Sequence, residues 1–159
     1  MLERYTLNPR EIARGDRALV QTRDGERELR WGQLAPWRGH GGKRGPMVYE
    51  LDAASVKLKS KRCLVPADGW FAKLHKQPHW FHARGRFTLA GVVATHADDG
   101  VESFAIITVP ATGIALPIVE RMPVLADTRW LDDGELVALP AEWRVAAAPP
   151  GNPAQRELF

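Results

Sequence analysis

The stretch Arg62-Cys63-Leu64-Val65-Pro66-Ala67-Asp68-Gly69-Trp70-Phe71-Ala72-Lys73 decides the fold of this chain. It begins with an apolar run, Cys63 to Val65, that is typical of a buried strand. Pro66 and the turn dipeptide Asp68-Gly69 interrupt this run. Trp70-Phe71 then resume an extended aromatic segment with high strand propensity. This order of a buried strand, a sharp turn and two aromatic residues predicts that a side chain of the stretch lies at the entrance of a cleft.

The composition indicates an ordinary globular protein. The chain has 159 residues, of which 45% are hydrophobic and 26% charged, and this length predicts a single domain, residues 1–159, with a real core. Its 12 prolines and 14 glycines favour a turn-rich β or α+β fold over a helical bundle.

The charge of the chain leaves two interpretations of its partner open. The formal net charge is +3, and most of the 22 basic residues are arginine. Arginine pairs bidentately with phosphate, so this excess is compatible with an anionic partner such as nucleic acid. It is equally compatible with a GC-rich genome, in which arginine replaces lysine throughout.

The single cysteine, Cys63, excludes an internal disulfide and a cysteine-based metal cluster. Because it lies in an apolar run, we expect a small buried hydrophobe rather than a nucleophile. There is no apolar stretch long enough to span a membrane and no signal-peptide pattern, so we expect a cytoplasmic protein without a membrane partner.

The first half of the chain contains signals for strands and loops. Arg4–Leu7 is predicted to be a short first strand, and the polar residues 8–16 a loop. The segments 18–22 and 28–31 flank the turn dipeptide Asp24-Gly25 and predict a hairpin. The basic residues 38–46 predict an exposed loop, which either touches a backbone phosphate or is simply solvated.

The second half continues this pattern. Residues 52–59 are predicted to form two helical turns with Asp52 as N-cap. Residues 78–83 and 87–94 predict a β-pair joined by residues 84–86. A buried strand over 103–109, a short capped helix over 127–131 and a last strand over 143–145 follow. Together these elements predict an α+β fold: a curved, mostly antiparallel β-sheet or barrel with short peripheral helices.

The three histidines His75, His79 and His82 do not predict a metal site. Pro78 forbids the helix that would bring His75 and His79 to one face. In a strand, His79 and His82 point to opposite faces. We therefore predict no metal and no cofactor.

The central stretch resembles the signature R-C-L-x-P-A-D-G-[FW]-[FY]-E-W of the SOS-response-associated peptidase (SRAP) family. Arg4-Tyr5-Thr6-Leu7 is similar to the family's opening M-C-G-R-F-T-L, and residues 31–37 to its W-G-L-x-P-x-W segment. Residues 104–108 and 118–123 resemble its F-x-I-I-T strand and I-H-x-R-M-P motif. The resemblance implies the family's β-rich fold, binding of single-stranded DNA, and crosslinking to abasic sites through an N-terminal cysteine.

The four positions that carry the family's chemistry are all replaced in this chain. Leu2 stands where the family has its cysteine, Glu50 its asparagine, Ala72 its glutamate and Val119 its histidine. Leucine has no nucleophilic atom, and alanine and valine transfer no protons. We therefore predict a catalytically degenerate member with no catalytic residue, in which these four positions converge on one pocket.

The positions that the family uses to bind DNA are better kept. They are Arg4, Trp37, Thr108 and Arg121. The acid Asp52, however, replaces a family arginine, and such a charge opposes a nearby phosphate.

Three functions follow for such a chain. The first is non-covalent binding of single-stranded or abasic-site DNA in a DNA-damage or SOS-response context. The second is a protein-interaction or regulatory module, phage-related or of prophage origin, that binds no DNA and whose protein partner the sequence does not name. The third is an abasic-site crosslinking or peptidase enzyme with a substitute nucleophile such as the Met1 amine.

Overall fold

The computed structural model describes residues 2–7, 9–34, 47–56, 61–96, 100–132 and 134–150. Within these ranges the strands are β1 Arg4–Leu7, β2 Arg10–Ala13, β3 Arg17–Thr22, β4 Gly25–Trp31, β5 Gln33–Leu34, β6 Met47–Val48, β7 Glu50–Asp52, β8 Lys61–Leu74, β9 Gln77–Thr95, β10 Glu102–Pro110, β11 Arg121–Pro123 and β12 Arg144–Ala146. Short 3₁₀ helices span Ala53–Ser55, Gly113–Ala115 and Thr128–Asp132.

Five of the strands close into a mixed barrel. The order is β9-β10-β4-β3-β8, and pairing of β8 with β9 closes it. β4 and β10 run parallel, whereas the other barrel neighbours are antiparallel. β1 and β2 continue the sheet from β8, β12 pairs with β9, and β7 and β11 pair with β10. The predicted curved, mostly antiparallel sheet or barrel is therefore confirmed, with 3₁₀ helices as its peripheral helical elements.

The two halves of the long strand β8 pair with different strands. Its first half pairs with β3 at Cys63 and Leu64, and its second half pairs with β1 from Gly69 to Phe71. β9 follows it along the whole length. This explains why the sequence of β8 combines a continuous apolar run with an interruption: the strand must bend between its two partners.

Alternate residues of these strands enter two different hydrophobic clusters. Leu89 and Val93 of β9 lie in the main cluster with the aromatic residues Tyr5, Trp31, Trp70, Phe81 and Phe104. Ala90 and Val92 lie in a second cluster together with Trp130 and Leu131 of the last 3₁₀ helix. Because both faces are buried here, the strand reads as a continuous apolar run rather than an alternating one.

The hairpin formed by β8 and β9 differs from the prediction for residues 78–94. Residues 78–83 and 87–94 are not a β-pair, because both belong to the single strand β9 and pair with β8. The register shifts between Ala67 and Gly69, so residues 83–86 of β9 bulge out opposite Asp68. Such an insertion leaves the extra residues unpaired and bends the strand.

The structure differs from two further predictions. Residues 8–16 were expected to form a loop, but Arg10–Ala13 form β2 and pair with β1. Residues 52–59 were expected to form two helical turns. Instead Asp52 ends β7 and accepts a hydrogen bond from the Ala54 amide at 3.1 Å, which caps only the 3₁₀ turn Ala53–Ser55; residues 57–60 lie outside the described residues.

The other predicted elements are confirmed. They are the first strand, the hairpin around Asp24-Gly25, the strand over 103–109, the short helix near 127–131 and the last strand. The predicted basic loop 38–46 lies outside the described residues. Within the described ranges, no helix has the length and apolar character that a membrane crossing requires.

Candidate functional site

Leu2, which the resemblance places at the family's nucleophile position, lies two residues before β1, and hydrogen bonds hold its backbone amide and its carbonyl. The amide of Leu2 donates a hydrogen bond to Oε1 of Glu50. Its carbonyl accepts from the Arg14 guanidinium, with an Nε–O distance of 3.0 Å. The Leu2 side chain is buried. The structure thus brings together Leu2 and Glu50, two of the four positions expected to converge.

Ala72 and Val119 lie in the same hydrophobic cluster as Leu2. Ala72 is fully buried on β8, and Val119 follows the 3₁₀ helix Gly113–Ala115, where its amide donates to the Ala115 carbonyl at 2.9 Å. The three positions Leu2, Ala72 and Val119, at which the resemblance places the family's chemistry, are therefore apolar and buried here. Packed in this way, they supply neither a nucleophile nor a group that moves protons.

Arg121 projects from β11 and is fixed by two neighbouring strands. Its Nε donates to Thr108 Oγ1 at 3.0 Å, and its Nη2 to the Thr108 carbonyl at 2.8 Å. The same Nη2 pairs with Asp52 Oδ1 at 2.9 Å. Thr108 is buried, whereas the Arg121 side chain stays 33% exposed. The predicted residues Thr108 and Arg121 thus form one unit, and Asp52 neutralises part of its charge.

Arg4 lies on a different part of the sheet. Its guanidinium carbon is 4.2 Å from the centre of the Phe71 ring, and it reaches Glu11 at 4.0 Å. Arg4 thus contacts residues of β8 and β2, whereas Arg121 contacts residues of β10 and β7. Trp37, the fourth predicted DNA-binding residue, lies outside the described residues.

The sequence reasoning missed Arg14. Its guanidinium donates to the Leu2 carbonyl and lies 5.0 Å from the centre of the Tyr49 ring. Tyr49 directly precedes Glu50 in the sequence. The Tyr49 backbone carbonyl in turn accepts from the Trp31 indole at 3.0 Å. No local signal marks Arg14, since its partners are a backbone carbonyl and a ring that are distant in sequence.

The only thiol of the chain is not available to this site. Cys63 is 0% exposed on β8, and burial raises the pKa of its thiol. A Cβ placed on Gly91 would lie 2.8 Å from Cys63 Sγ, so the sulfur is packed against the neighbouring strand. The expectation of a small buried hydrophobe is confirmed.

No side-chain cluster suited to a metal ion occurs in the part of the chain that the structure describes: no group of three His, Cys, Asp or Glu residues lies close enough together. His79 Nδ1 instead contacts the Gln77 carbonyl at 2.9 Å, and His82 stacks on Trp80.

Comparison with solved structures identifies related folds. Fourteen chains match, among them the crystal structure of a phage-related protein from Bordetella bronchiseptica. That match has a TM-score of 0.62 and 24% sequence identity, and covers 89% of this chain and 83% of the other. This likeness shows a shared fold. A search of curated proteins found no match.

The sequence profile of one protein family matches residues 11–142, which is most of the chain. That family is described as SOS response associated peptidase. The profile covers the barrel strands, the unit formed by Thr108 and Arg121, and the residues Glu50, Ala72 and Val119. This chain belongs to the SOS response associated peptidase (SRAP) family.

Proposed function

We propose that this chain binds single-stranded DNA non-covalently, in a DNA-damage context, and lacks the covalent chemistry of its family. The observation that carries the proposal is the Arg121 guanidinium, held by Thr108 on a partly exposed edge of the barrel. A pre-oriented guanidinium loses little conformational entropy when it binds a phosphate oxygen. A binding role without catalysis agrees with the apolar replacements at Leu2, Ala72 and Val119.

The contact with Asp52 makes this binding weak. A phosphate that approaches Arg121 must compete with the Asp52 carboxylate, 2.9 Å from the guanidinium. The ion pair is largely solvent-accessible, and exposed pairs of this kind contribute about 0–1 kcal/mol. The Asp52 carboxylate therefore lowers the affinity for a phosphate rather than abolishing it.

The experiment is a fluorescence titration of labelled oligothymidine at several salt concentrations. Removing one phosphate contact from a single-strand binder lowers the salt slope by about 0.7, so Arg121→Ala should weaken binding and flatten the slope by that amount. Asp52→Asn, which frees Arg121, should tighten binding. The matched control is Arg17→Ala, which removes one exposed arginine on β3 that pairs with Glu28. Affinity that responds to neither Arg121→Ala nor salt would overturn the proposal.

A second candidate, a protein-interaction module, is favoured by one observation. Ile114 and Leu116 are 49% and 62% exposed, and Ile114 lines an apolar cleft of about 540 Å³ beside Leu139 and Trp143. If Arg121→Ala leaves DNA binding unchanged while Leu116→Ser abolishes binding to a partner protein, this second function replaces the first.

A further inference from the structure

The bulge in the middle of β9 exposes two arginines. Residues 83–86 lie opposite the single residue Asp68 of β8, because Ala67 pairs with Phe87 and Gly69 with His82. Gly85 at the tip has a φ of +68°, a conformation that favours glycine. Arg84 and Arg86 flank it, and both are exposed.

A third arginine lies on the adjacent strand. Arg144 of β12 pairs with His82 of β9 in the strand register, and it is exposed. Arg84 and Arg144 line a cleft of about 400 Å³, whose one acidic lining residue is Glu142. Within the described ranges, the side chains of these two arginines and of Arg86 form no hydrogen bond or ion pair. We call Arg84, Arg86 and Arg144 the β9–β12 arginine patch.

A row of paired residues connects this patch with β1. Thr6 pairs with Gly69, Gly69 with His82, and His82 with Arg144. Directly paired residues project to the same face of a sheet. Neighbouring strands lie about 4.8 Å apart, so three steps place Arg144 about 14 Å from β1.

The side chains between the two ends are aromatic. The Trp80 indole donates to Thr6 Oγ1 at 3.1 Å across Gly69, which has no side chain to block it. The His82 ring stacks on Trp80, with ring centres 4.5 Å apart and planes inclined by 14°. His82 is partly exposed, so the free face of its imidazole is the accessible end of this stack. Arg4 lies on the next row of the same face, over Phe71.

We propose that the β9–β12 arginine patch binds the phosphate backbone of a single-stranded nucleic acid, whose path continues over the His82 ring towards Arg4. Single-strand binders combine cations that follow the backbone with aromatic rings on which bases stack. The row from Arg144 to β1 contains both features on one face. An acidic protein segment would be attracted by the same charges but would have no use for the stacked rings. This inference rests on the proposed function and extends its DNA contact to a second region.

The test compares two triple variants of equal charge. One is Arg84→Ala/Arg86→Ala/Arg144→Ala. The control is Arg17→Ala/Arg23→Ala/Arg27→Ala on the β3–β4 hairpin, outside the row. The probe is a labelled oligothymidine of about 20 nucleotides, longer than the roughly 4–16 nucleotides that one small domain covers. Three lost phosphate contacts should lower the salt slope by about two and the affinity by about ten- to a hundredfold, whereas the control should show a much smaller change.

A second pair of measurements guards against a folding defect and identifies the partner. Thermal unfolding checks each triple variant for a folding defect. The double variant Arg84→Gln/Arg86→Gln, which alters only the exposed bulge, should show about two thirds of the change in salt slope seen in the triple variant. Labelled polyglutamate replaces DNA as the probe for an acidic protein segment. We expect the triple variant of the patch to lose affinity for oligothymidine and not for polyglutamate.

The outcomes separate this inference from the proposed function. If DNA binds and depends on Arg121, but both triple variants bind equally well, the patch inference is wrong and the proposed function stands. If the patch variant loses polyglutamate rather than DNA, the partner is an acidic protein and the inference is wrong in its ligand. If the wild-type protein binds no DNA at any salt concentration, both fail. If the patch variant loses binding while Arg121→Ala does not, the patch is supported and the proposed site is overturned.

Discussion

Gly69 lies where the indole of Trp80 crosses β8 on its way to Thr6. A Cβ at this position would lie 2.1 Å from Trp80 Nε1, a distance that no real contact shows. Gly69→Ala should therefore displace the indole, break its 3.1 Å hydrogen bond to Thr6 and destabilise the protein by about 1–3 kcal/mol. Chemical denaturation followed by tryptophan fluorescence measures the free energy of unfolding.

The matched control for this substitution is Gly134→Ala. The nearest atom to a Cβ there, the Arg129 carbonyl oxygen, is 3.7 Å away, which is ordinary contact. We expect a change within about 0.5 kcal/mol. In the double variant Gly69→Ala/Trp80→Ala, the two losses of unfolding free energy should not add up. Trp80→Ala removes the indole nitrogen with which the Cβ of Gly69→Ala would clash. Additive effects would show that the clash with Trp80 is not the cause.

The His82 side chain gives the stability of the protein a pH dependence. Burial, and then the charge of Arg144, lowers the pKa of His82 below its ordinary value. As the pH falls, the unfolded chain takes up this proton first, near its ordinary value of about 6.5. The stabilisation is thus present above that pH and is lost as the pH falls through the lower folded-state pKa.

Denaturation between about pH 7 and pH 5 tests this dependence. His82→Phe keeps a ring on Trp80 but removes the titration, so its stability should fall less steeply over this range. Asp127 does not interfere, because hydrogen bonding to Arg129 lowers its pKa and it titrates below this window. An equal slope for both proteins would contradict the assignment to His82.

At the scale of elements, the last 3₁₀ helix packs on the barrel through Trp130 and Leu131, and Trp130 makes the polar contacts. Trp130 is buried, and its indole donates to the Gly91 carbonyl at 3.0 Å. The buried guanidinium of Arg62 lies 3.9 Å from the Trp130 ring and donates to the Trp130 carbonyl at 3.1 Å. The arginine that opens the central signature therefore has a structural role here.

Trp130→Ala should lower the free energy of unfolding by about 3–5 kcal/mol. It removes a large buried side chain and leaves the Gly91 carbonyl without its indole donor. Val137→Ala is the control, since Val137 is an exposed apolar residue in the segment that follows this helix. The urea midpoint measures both. A loss below about 1 kcal/mol would mean that the helix is held by other contacts.

The elements that could be predicted from sequence are those with local signals. The Asp24-Gly25 hairpin and the apolar strand β10 follow from short patterns. The continuity of β9 does not, because Arg84-Gly85-Arg86 has the composition of a turn and only pairing with β8 on both sides of the bulge reveals one strand. For the same reason β2 was missed: its partner β1 supplies the strand geometry that its polar sequence does not indicate.

At the scale of the whole molecule, the candidate site depends on contacts between distant residues. The hydrogen bond from Leu2 to Glu50 joins residues 48 positions apart, and the closure of the barrel requires the parallel pairing of β4 with β10. Only the resemblance to a family, not spacing, made the proximity of Leu2 and Glu50 predictable. The ion pair of Arg121 with Asp52 and the role of Arg14 required the structure, since their geometry arises from the closed barrel.

The arrangement of the whole molecule also predicts that no stable crosslink to abasic DNA forms at neutral pH. The chain has one cysteine, and Cys63 is 0% exposed with its thiol pKa raised by burial. Leu2 offers no thiol where the family has its nucleophile. The remaining candidate is the Met1 α-amine.

That amine can add to the open-chain aldehyde of an abasic site and lose water to give an imine, which water reverses. A neighbouring thiol would trap the imine in a ring, and none is available here. Ala72 and Val119, both buried and apolar, provide no group to move protons in later steps.

The test is incubation with abasic single-stranded DNA, followed by denaturing electrophoresis with and without borohydride, which reduces an imine to a stable amine. We expect no shifted band without borohydride. A band that appears without it, and persists in Cys63→Ser, would show that the chain has a substitute nucleophile and is an enzyme after all. A band only with borohydride would show that an amine of the protein, such as that of Met1 or a lysine, comes within reach of the abasic site, and would leave the proposal that no stable crosslink forms standing.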